Sequence, residues 1–244
     1  MDIDVVLVEP EGDENVGAVA RAMMNMDAAR LILVNPQCNH LSEKARCYAV
    51  HAREYIENAL LVNSLGEAFQ GSAVRAAITR RTGQYRKRDF DPVSFSEFLE
   101  RYRDQRVTLV FGREKHGLTT DEIQECDVVV GIESSERFPS LNLAQSVMVI
   151  LYETFRARKL WKNDDRAQGK AVPREEFDTL MDRIIETVRE LGLFRMVPEW
   201  RLRYFIRKVL SRASLDHFDV LVIRRLFDRI RGAVMGLKKS LKKD

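Results

Sequence analysis

The sequence predicts an α/β protein in which a parallel sheet has helices on both faces, followed by a small all-α C-terminal extension. Two observations predict the sheet. The short strands of residues 1–155 are apolar throughout rather than alternating, as strands buried on both faces must be. Helical patterns separate these strands, which is the order typical of a parallel sheet. Residues beyond 173 show helical patterns alone, and these predict the all-α extension.

Each predicted element depends on a local pattern. Apolar runs such as VVLV predict strands, and the pair Asn35-Pro36 ends the second of them. The predicted strands cover residues 5–8, 31–34, 60–62, 73–79, 107–111 and 128–132. The predicted helices between and after them cover residues 15–26, 42–50 and about 141–159.

Composition divides the chain into three parts. We expect a domain over residues 1–160, a linker over 161–172 and a basic helical extension over 173–244. The linker, WKNDDRAQGKAV, is polar and contains a glycine. Pro173 followed by Arg-Glu-Glu is typical of a helix start. The helices predicted in the extension cover residues 173–191, 199–211 and 215–237.

Charge is distributed unevenly between these parts. The 244 residues carry a formal net charge of +3, yet residues 156–244 hold 23 Lys and Arg against 13 Asp and Glu. The C-terminal part is therefore strongly basic, and the remainder is acidic. This asymmetry is typical of a catalytic unit joined to a surface for a polyanion such as nucleic acid. An Arg-rich helical surface that serves only solubility is the alternative.

Other classes of protein are disfavoured. No run approaches the ~18 apolar residues of a membrane span, and the acidic N-terminus does not resemble a signal peptide. Three cysteines without a CxxC pair give no disulfide framework, so we expect a cytoplasmic protein. No metal is expected, because no common zinc spacing is matched by Cys38, His40, Cys47 and His51. The P-loop-like segment 112–119 has leucine where a phosphate-binding lysine is required.

Three loops at predicted strand ends carry the polar residues of interest. The first, ENVGAVAR, follows the first strand and ends at Arg21. The second, FGREKHGL, follows the 107–111 strand and contains Glu114. The third, SLN at residues 140–142, precedes a long helix. Each can be interpreted as a solvated charge or a helix cap, but α/β sheets also bind their ligands at these strand ends.

In this order and spacing, the three segments resemble the motifs of SPOUT (SpoU/TrmH-type) RNA 2′-O-methyltransferases. Those motifs are N-x-G-x-x-x-R, (V/L)-F-G-x-E-x-x-G-L and S-L-N-x-x-x-(S/A)-x-x-x-x-x-Y-E, and the last includes Tyr152-Glu153 here. The resemblance covers essentially the whole chain. Within the family, the basic extension and the segment LVNP at residues 33–36 are most similar to those of tRNA 2′-O-methyltransferases that act on cytidine or uridine.

The resemblance implies a C-terminal trefoil knot in the sheet domain, which composition and periodicity could not have indicated. It implies S-adenosyl-L-methionine as methyl donor, S-adenosyl-L-homocysteine as product, and a homodimer whose active sites are completed across the interface. By position in the family pattern, the cofactor-binding residues are Ile78, Thr79, Arg80, Gly112, Ile132, Ser140 and Leu141.

The resemblance also implies catalytic residues. Arg21 matches the family residue proposed to activate the ribose hydroxyl. Because a guanidinium stays protonated in proteins, we expect it to anchor phosphate and stabilise developing alkoxide charge rather than to remove a proton. Ser140 and Asn142 are assigned to hold Arg21 and the ribose, and Asn15 and Glu114 to brace the loops.

Basic residues in two regions predict RNA contacts. The segment beside the cofactor loop holds Arg81, Tyr85, Arg86, Lys87 and Arg88, although a solvated loop is the alternative. The extension presents Arg195, Arg201, Arg203, Arg207, Lys208, Arg212, Arg224, Arg225 and Arg229. The implied substrate is tRNA, at the pyrimidine of position 32 in the anticodon loop. Ribosomal RNA methylation and a non-catalytic RNA-binding knot protein are the alternatives.

Overall fold

The predicted strands form one parallel sheet in the order β3-β2-β1-β5-β4-β6. The computed structural model describes residues 1–80, 87–161, 171–195, 197–213 and 215–240. Within these ranges the strands are β1 Asp2–Val8, β2 Arg30–Val34, β3 Leu60–Val62, β4 Ser72–Ile78, β5 Arg106–Phe111 and β6 Val128–Val130. The parallel sheet predicted from apolar strands is therefore confirmed.

Helices connect the strands and follow the sheet. In the first part of the chain they are α1 Asp13–Asn25, α2 Glu43–Ala49, α3 Arg53–Glu57, α4 Leu65–Ala68, α5 Pro92–Phe98, α6 Thr120–Gln124 and α7 Leu143–Trp161. After residue 171 they are α8 Arg174–Glu190, α9 Glu199–Ala213 and α10 His217–Ser240. Short 3₁₀ segments lie at Leu99–Tyr102 and Leu193–Arg195.

The sequence prediction missed the helices α3 to α6 because each is too short to show a 3.6-residue period. Two of them nevertheless carry capping boxes. Asp91 and Ser94 cap α5 reciprocally, and Thr119 and Glu122 cap α6. These spacings were the local signals that could have located both helices.

The predicted and observed bounds of the elements differ by up to three residues, and two of these differences have an identifiable cause. The strand predicted at 128–132 ends at Val130, because the N–H of Gly131 donates to Phe90 at 3.0 Å instead of continuing the ladder. The helix predicted from 141 begins at Leu143, because the Asn142 carboxamide oxygen accepts from the N–H of Ala144 at 2.8 Å and acts as the cap.

The sheet is buried on both faces, as its apolar strands require. On one face, strand residues such as Val6, Val110 and Val129 pack with Phe69 and Ile123 from the α4 and α6 regions. The alternate positions on the same strands are buried as well, and α1 contacts α2 and α7. Strand order reverses between β1 and β5, and in α/β folds such a switch point opens a crevice at the carboxyl ends of the strands.

Two compact units divide the chain, Met1–Gln168 and Gly169–Asp244, and the division falls within the predicted linker. The second unit has its own apolar core, in which Leu180 and Ile184 of α8 pack with Val220 and Phe227 of α10. Leu202, Ile206 and Leu210 of α9 join this core. The described helices lack any segment long and apolar enough to cross a membrane.

Candidate active site

A cavity lies where the chain leaves β4, β5 and β6. All seven residues predicted to bind cofactor line this one cavity: Ile78, Thr79, Arg80, Gly112, Ile132, Ser140 and Leu141. Glu114, predicted to brace the loops, lines it as well. The other lining residues were not predicted: Phe111, Arg113, Lys115, Gly117, Pro139, Leu143 and Ser146. These neighbours lie in the same three loops, so the loops themselves were the signal. Parallel strands bring the loops together because all their carboxyl ends meet at one edge.

The loop after β5 folds back tightly on two glycines. A Cβ at Gly112 would lie 2.2 Å from the carbonyl carbon of Gly117, so no larger residue fits there. Gly117 has φ of +64°, a conformation that favours glycine. Its N–H donates to the carbonyl of Arg113 at 2.8 Å. The two glycines of the second motif therefore set the shape of the cavity wall.

The Arg113 side chain clamps this loop from inside. Its Nε donates to Glu9 at 2.8 Å, and its two terminal nitrogens donate to the Glu122 carboxylate at 3.1 and 3.0 Å. These hydrogen bonds raise the pKa of Arg113, and the bond from Arg113 lowers the pKa of Glu9. Because Glu9 directly follows β1 and Glu122 lies in α6, one guanidinium joins both sides of the switch point. Sequence reasoning missed this residue, which occupies a variable position of the motif.

A chain of hydrogen bonds connects the three predicted motifs. The Glu114 carboxylate accepts from the N–H groups of Glu11 at 3.0 Å and Gly12 at 3.1 Å, and from Asn15 Nδ2 at 2.8 Å. Asn15 Oδ1 in turn accepts from Asn142 Nδ2 at 2.8 Å. The order of donors fixes the orientation of both carboxamides, since a carboxylate only accepts.

Arg21 lies outside this chain of bonds. Its side chain is exposed on α1 and forms no hydrogen bond or ion pair with the residues that the structure describes. Ser140, also exposed, lines the cavity, and Asn142 is bonded to Asn15. Within one chain, the expected contact between Arg21 and Ser140 or Asn142 is therefore not formed.

The predicted RNA-binding residues differ in availability. Arg81, Tyr85 and Arg86 lie outside the described residues. Arg88 pairs with Glu133 at 2.9 Å, and Arg203 pairs with Asp182 at 2.9 Å.

The other predicted RNA contacts differ in exposure. Lys87 is exposed, and Arg207 is half-buried. Arg224, Arg225 and Arg229 are exposed, and in the described part of the chain they have no ion-pair partner. Cations that lack a carboxylate partner are the ones best able to neutralise phosphate.

The histidines and cysteines between β2 and α3 do not assemble. Within the described ranges, no three His, Cys, Asp or Glu side chains are grouped as metal ligands would be. Burial, with Asp13 and Glu114 nearby, raises the pKa of the Cys38 thiol to about 11. At neutral pH this cysteine is protonated, and a thiol is a poor metal ligand and nucleophile.

A cavity at the carboxyl ends of the neighbouring parallel strands β5, β4 and β6, lined by residues of the second and third motifs, is typical of the ligand site of an α/β protein. Residues 2–152 match the SpoU rRNA Methylase family, and the chain belongs to this family. A tRNA (cytidine/uridine-2′-O-)-methyltransferase TrmJ from Salmonella choleraesuis (strain SC-B67) is 31% identical to this chain over 237 residues, which are 94% of this chain and 96% of the relative.

Two solved structures have a similar fold. TrmJ from Z. mobilis ZM4 superimposes with a TM-score of 0.70 at 24% identity, covering 94% of this chain and 99% of that chain. The SpoU methyltransferase AviRb from Streptomyces viridochromogenes, solved in complex with the cofactor AdoMet, has a TM-score of 0.52 at 23% identity and covers 65% of this chain and 58% of that chain.

Proposed function

We propose that this protein transfers a methyl group from S-adenosylmethionine to a ribose 2′-oxygen of tRNA. One observation carries the proposal: the three motifs, from distant parts of the sequence, are joined by hydrogen bonds between Glu114, Asn15 and Asn142, and Glu114 lines the cavity. The curated relative, which is similar over almost the whole chain, indicates tRNA as the substrate.

The cavity residues fit the proposed cofactor. Ile78, Ile132 and Leu141 offer apolar walls for a flat purine, and Gly112, which has no side chain, also lines the cavity. Arg80 also lines the cavity and offers positive charge to a carboxylate group, whereas Lys115 there pairs with Glu11 at 3.0 Å. When bound, the cofactor supplies a methyl group on a positively charged sulfur, an electrophile that needs no further activation.

The chain's own residues then have to align and activate the ribose. Alignment alone can contribute on the order of 7–11 kcal/mol to lowering the barrier. Asn142 keeps one N–H on Asn15, so its second N–H and Ser140 at the cavity are available to the ribose. We assign Arg21 to hold a phosphate and stabilise charge on the 2′-oxygen as its proton leaves to solvent. Asn15 and Glu114 hold these groups in place.

We further propose that the sheet domain is knotted. β6 pairs with β4 on one side, and on its other side Val129 and Val130 contact Asp89 and Phe90. Asp89 and Phe90 belong to the connection that leaves β4, so β6 lies between β4 and the chain segment that follows β4. This arrangement supports passage of the chain through its own loop.

We also propose that the active protein is a homodimer. Arg21 is exposed and reaches neither Ser140 nor Asn142 within one chain, which supports a site completed by a second copy. Met24 beside it on α1 and Tyr152 on α7 are 43% and 50% exposed, and these helices contact each other. Together they offer an apolar surface for a partner.

The test is transfer of labelled methyl from S-adenosylmethionine to unmodified total tRNA, followed by nucleoside analysis and mapping of the modified position. Label in a 2′-O-methylated pyrimidine at position 32 is the expected result. Label in ribosomal RNA but not in tRNA would instead indicate ribosomal RNA as the substrate, as in the name of the family. Cofactor binding without transfer to either RNA would contradict the proposed activity.

A further inference from the structure

We propose that Phe138 is a stacking platform for an unpaired nucleobase of the RNA substrate, an inference that rests on the proposed function. Phe138 is 78% exposed, more than any other large hydrophobic side chain in the described part of the molecule. It precedes Pro139 and Ser140, which line the cavity. Two peptide units span at most about 7 Å between Cα atoms, so the Phe138 backbone lies within about one nucleotide's length of Ser140 at the cavity.

The loop that carries Phe138 is held in a defined shape. Ser134 Oγ donates to the carbonyl of Pro139 at 2.7 Å, and the N–H of Phe138 donates to the carbonyl of Ser135 at 3.2 Å. The following proline restricts the Phe138 backbone further. A ring presented on a braced loop loses little conformational freedom when a partner covers it.

Chemistry favours a base over a phosphate at this position. Near the ring, the exposed charges of the loop are Glu136 and Arg137, which offset each other, and Glu133 pairs with Arg88. The loop therefore adds little net positive charge, and its distinctive group is the aromatic face. Single-stranded RNA loops are recognised largely by stacking of splayed bases on such rings. Stacking of this kind tolerates any base.

The experiment compares substitutions at Phe138 that separate stacking from simple apolar contact. Phe138→Ala removes the ring, Phe138→Leu keeps apolar area without an aromatic face, and Phe138→Tyr and Phe138→Trp keep the face. Leu61→Ala is the matched control, because Leu61 is a 58% exposed apolar side chain on β3, at the opposite edge of the sheet from β6. For each protein we measure the Kd for an unmodified tRNA transcript by fluorescence anisotropy, the KM for tRNA, and the Kd for S-adenosylmethionine.

We expect Phe138→Ala and Phe138→Leu to weaken tRNA binding about tenfold or more, the scale of one lost base–aromatic stack. The Tyr and Trp variants and the Leu61→Ala control should bind tRNA like the wild type. Cofactor affinity should be unchanged in all of them. The dependence of tRNA affinity on salt should keep its slope, since no phosphate contact is removed.

Three results would overturn the inference. The first is a Phe138→Ala variant that binds tRNA as the wild type does. The second is an equal loss of cofactor affinity, which would make Phe138 a cofactor contact. The third is dissociation of an oligomer by light scattering, which would make it a subunit contact. The affinity for tRNA is measured without turnover. A wild type that binds tRNA but transfers no methyl would therefore contradict the proposed function, whereas the role of Phe138 would still be decided by the affinities of its variants.

Discussion

The carboxylate of Glu114 joins three segments that are far apart in sequence. It accepts two backbone N–H groups from the turn after β1 and one from the Asn15 carboxamide, and Asn15 then orients Asn142. Each of these interactions requires an acceptor at Glu114. An ionised acid is therefore better suited to this position than an amide of the same shape.

The substitution Glu114→Gln tests whether this position requires an ionised acceptor. The new NH₂ group faces a donor on at least one side, so we expect a loss of about 1–3 kcal/mol in the free energy of unfolding. Turnover should fall as well, because Asn15 and Asn142 lose their fixed orientation. Urea unfolding and kcat are the measurements. Glu136→Gln, at an exposed loop carboxylate, is the control and should change neither.

Arg21, in contrast to Glu114, forms no hydrogen bond or ion pair with the described residues, so we expect it to contribute little to stability. Arg21→Ala should abolish methyl transfer while the Tm and the Kd for S-adenosylmethionine stay near those of the wild type. Arg53→Ala, at another exposed arginine of the same unit, should retain activity. An equal loss of cofactor binding and turnover in Arg21→Ala would show that the residue is structural.

Helices α1 and α2 approach each other closely at Gly17. A Cβ there would lie 2.1 Å from the Ala45 carbonyl oxygen, so even a methyl group forces the helices apart. We expect Gly17→Ala to lower the free energy of unfolding by about 1–3 kcal/mol, the usual cost of overpacking. Because α1 carries both Asn15 and Arg21, activity should fall too.

The control for this prediction is another helical glycine. At Gly66 in α4, the nearest atom to a built Cβ is Ser64 Oγ at 3.8 Å, an ordinary contact. Gly66→Ala should therefore be neutral or stabilising by up to about 1 kcal/mol, since alanine favours helices. Equal effects at both glycines in denaturant unfolding would contradict the role assigned to Gly17.

The junction of β1 with the β5 loop predicts a dependence of stability on pH. Arg113 lowers the pKa of Glu9 in the folded state, so this carboxylate stabilises the fold above the ordinary glutamate pKa of 4.5. The contribution is lost as pH falls through the lower, folded pKa. Since the Glu9 side chain is 36% exposed, we expect this contribution to the free energy of unfolding to be at most about 1 kcal/mol.

Comparing the wild type with Glu9→Gln measures this contribution. The difference in unfolding free energy should be present at pH 7 and should shrink steadily below pH ~4.5, the unfolded value. Glutamine is the suitable replacement because Glu9 has φ of +46°, and a change of side-chain shape there would add backbone strain. A difference independent of pH between 7 and 3 would contradict the assignment.

At the level of the whole molecule, the basic extension predicts salt-sensitive tRNA binding. Arg225 is exposed without an ion-pair partner in the described ranges, whereas Arg189 is paired with Glu199 at 2.7 Å. Arg225→Gln should reduce the slope of log K against log salt by about one, whereas Arg189→Gln should leave the slope nearly unchanged. The measurement is tRNA affinity over a series of salt concentrations. Binding that does not respond to salt would contradict tRNA contact through this region.

The sequence by itself determined the elements that are local. Apolar runs located all six strands of the described sheet, and three motifs located the loops of the candidate site. The burial of a strand can be predicted from its sequence, because a strand covered on both faces must be apolar along its length. Turn glycines such as Gly117 are equally local, since a positive φ constrains a single residue.

The tertiary structure decided how these pieces meet. The Asn15–Glu114 and Asn15–Asn142 bonds join residues 99 and 127 positions apart. The Arg113 clamp depends on carboxylates from two different elements. Side chains so distant become neighbours only when parallel strands align their carboxyl ends, and strand order is set by the packing of the whole sheet. A local pattern can therefore indicate which residues carry the chemistry, whereas their partners follow from the fold.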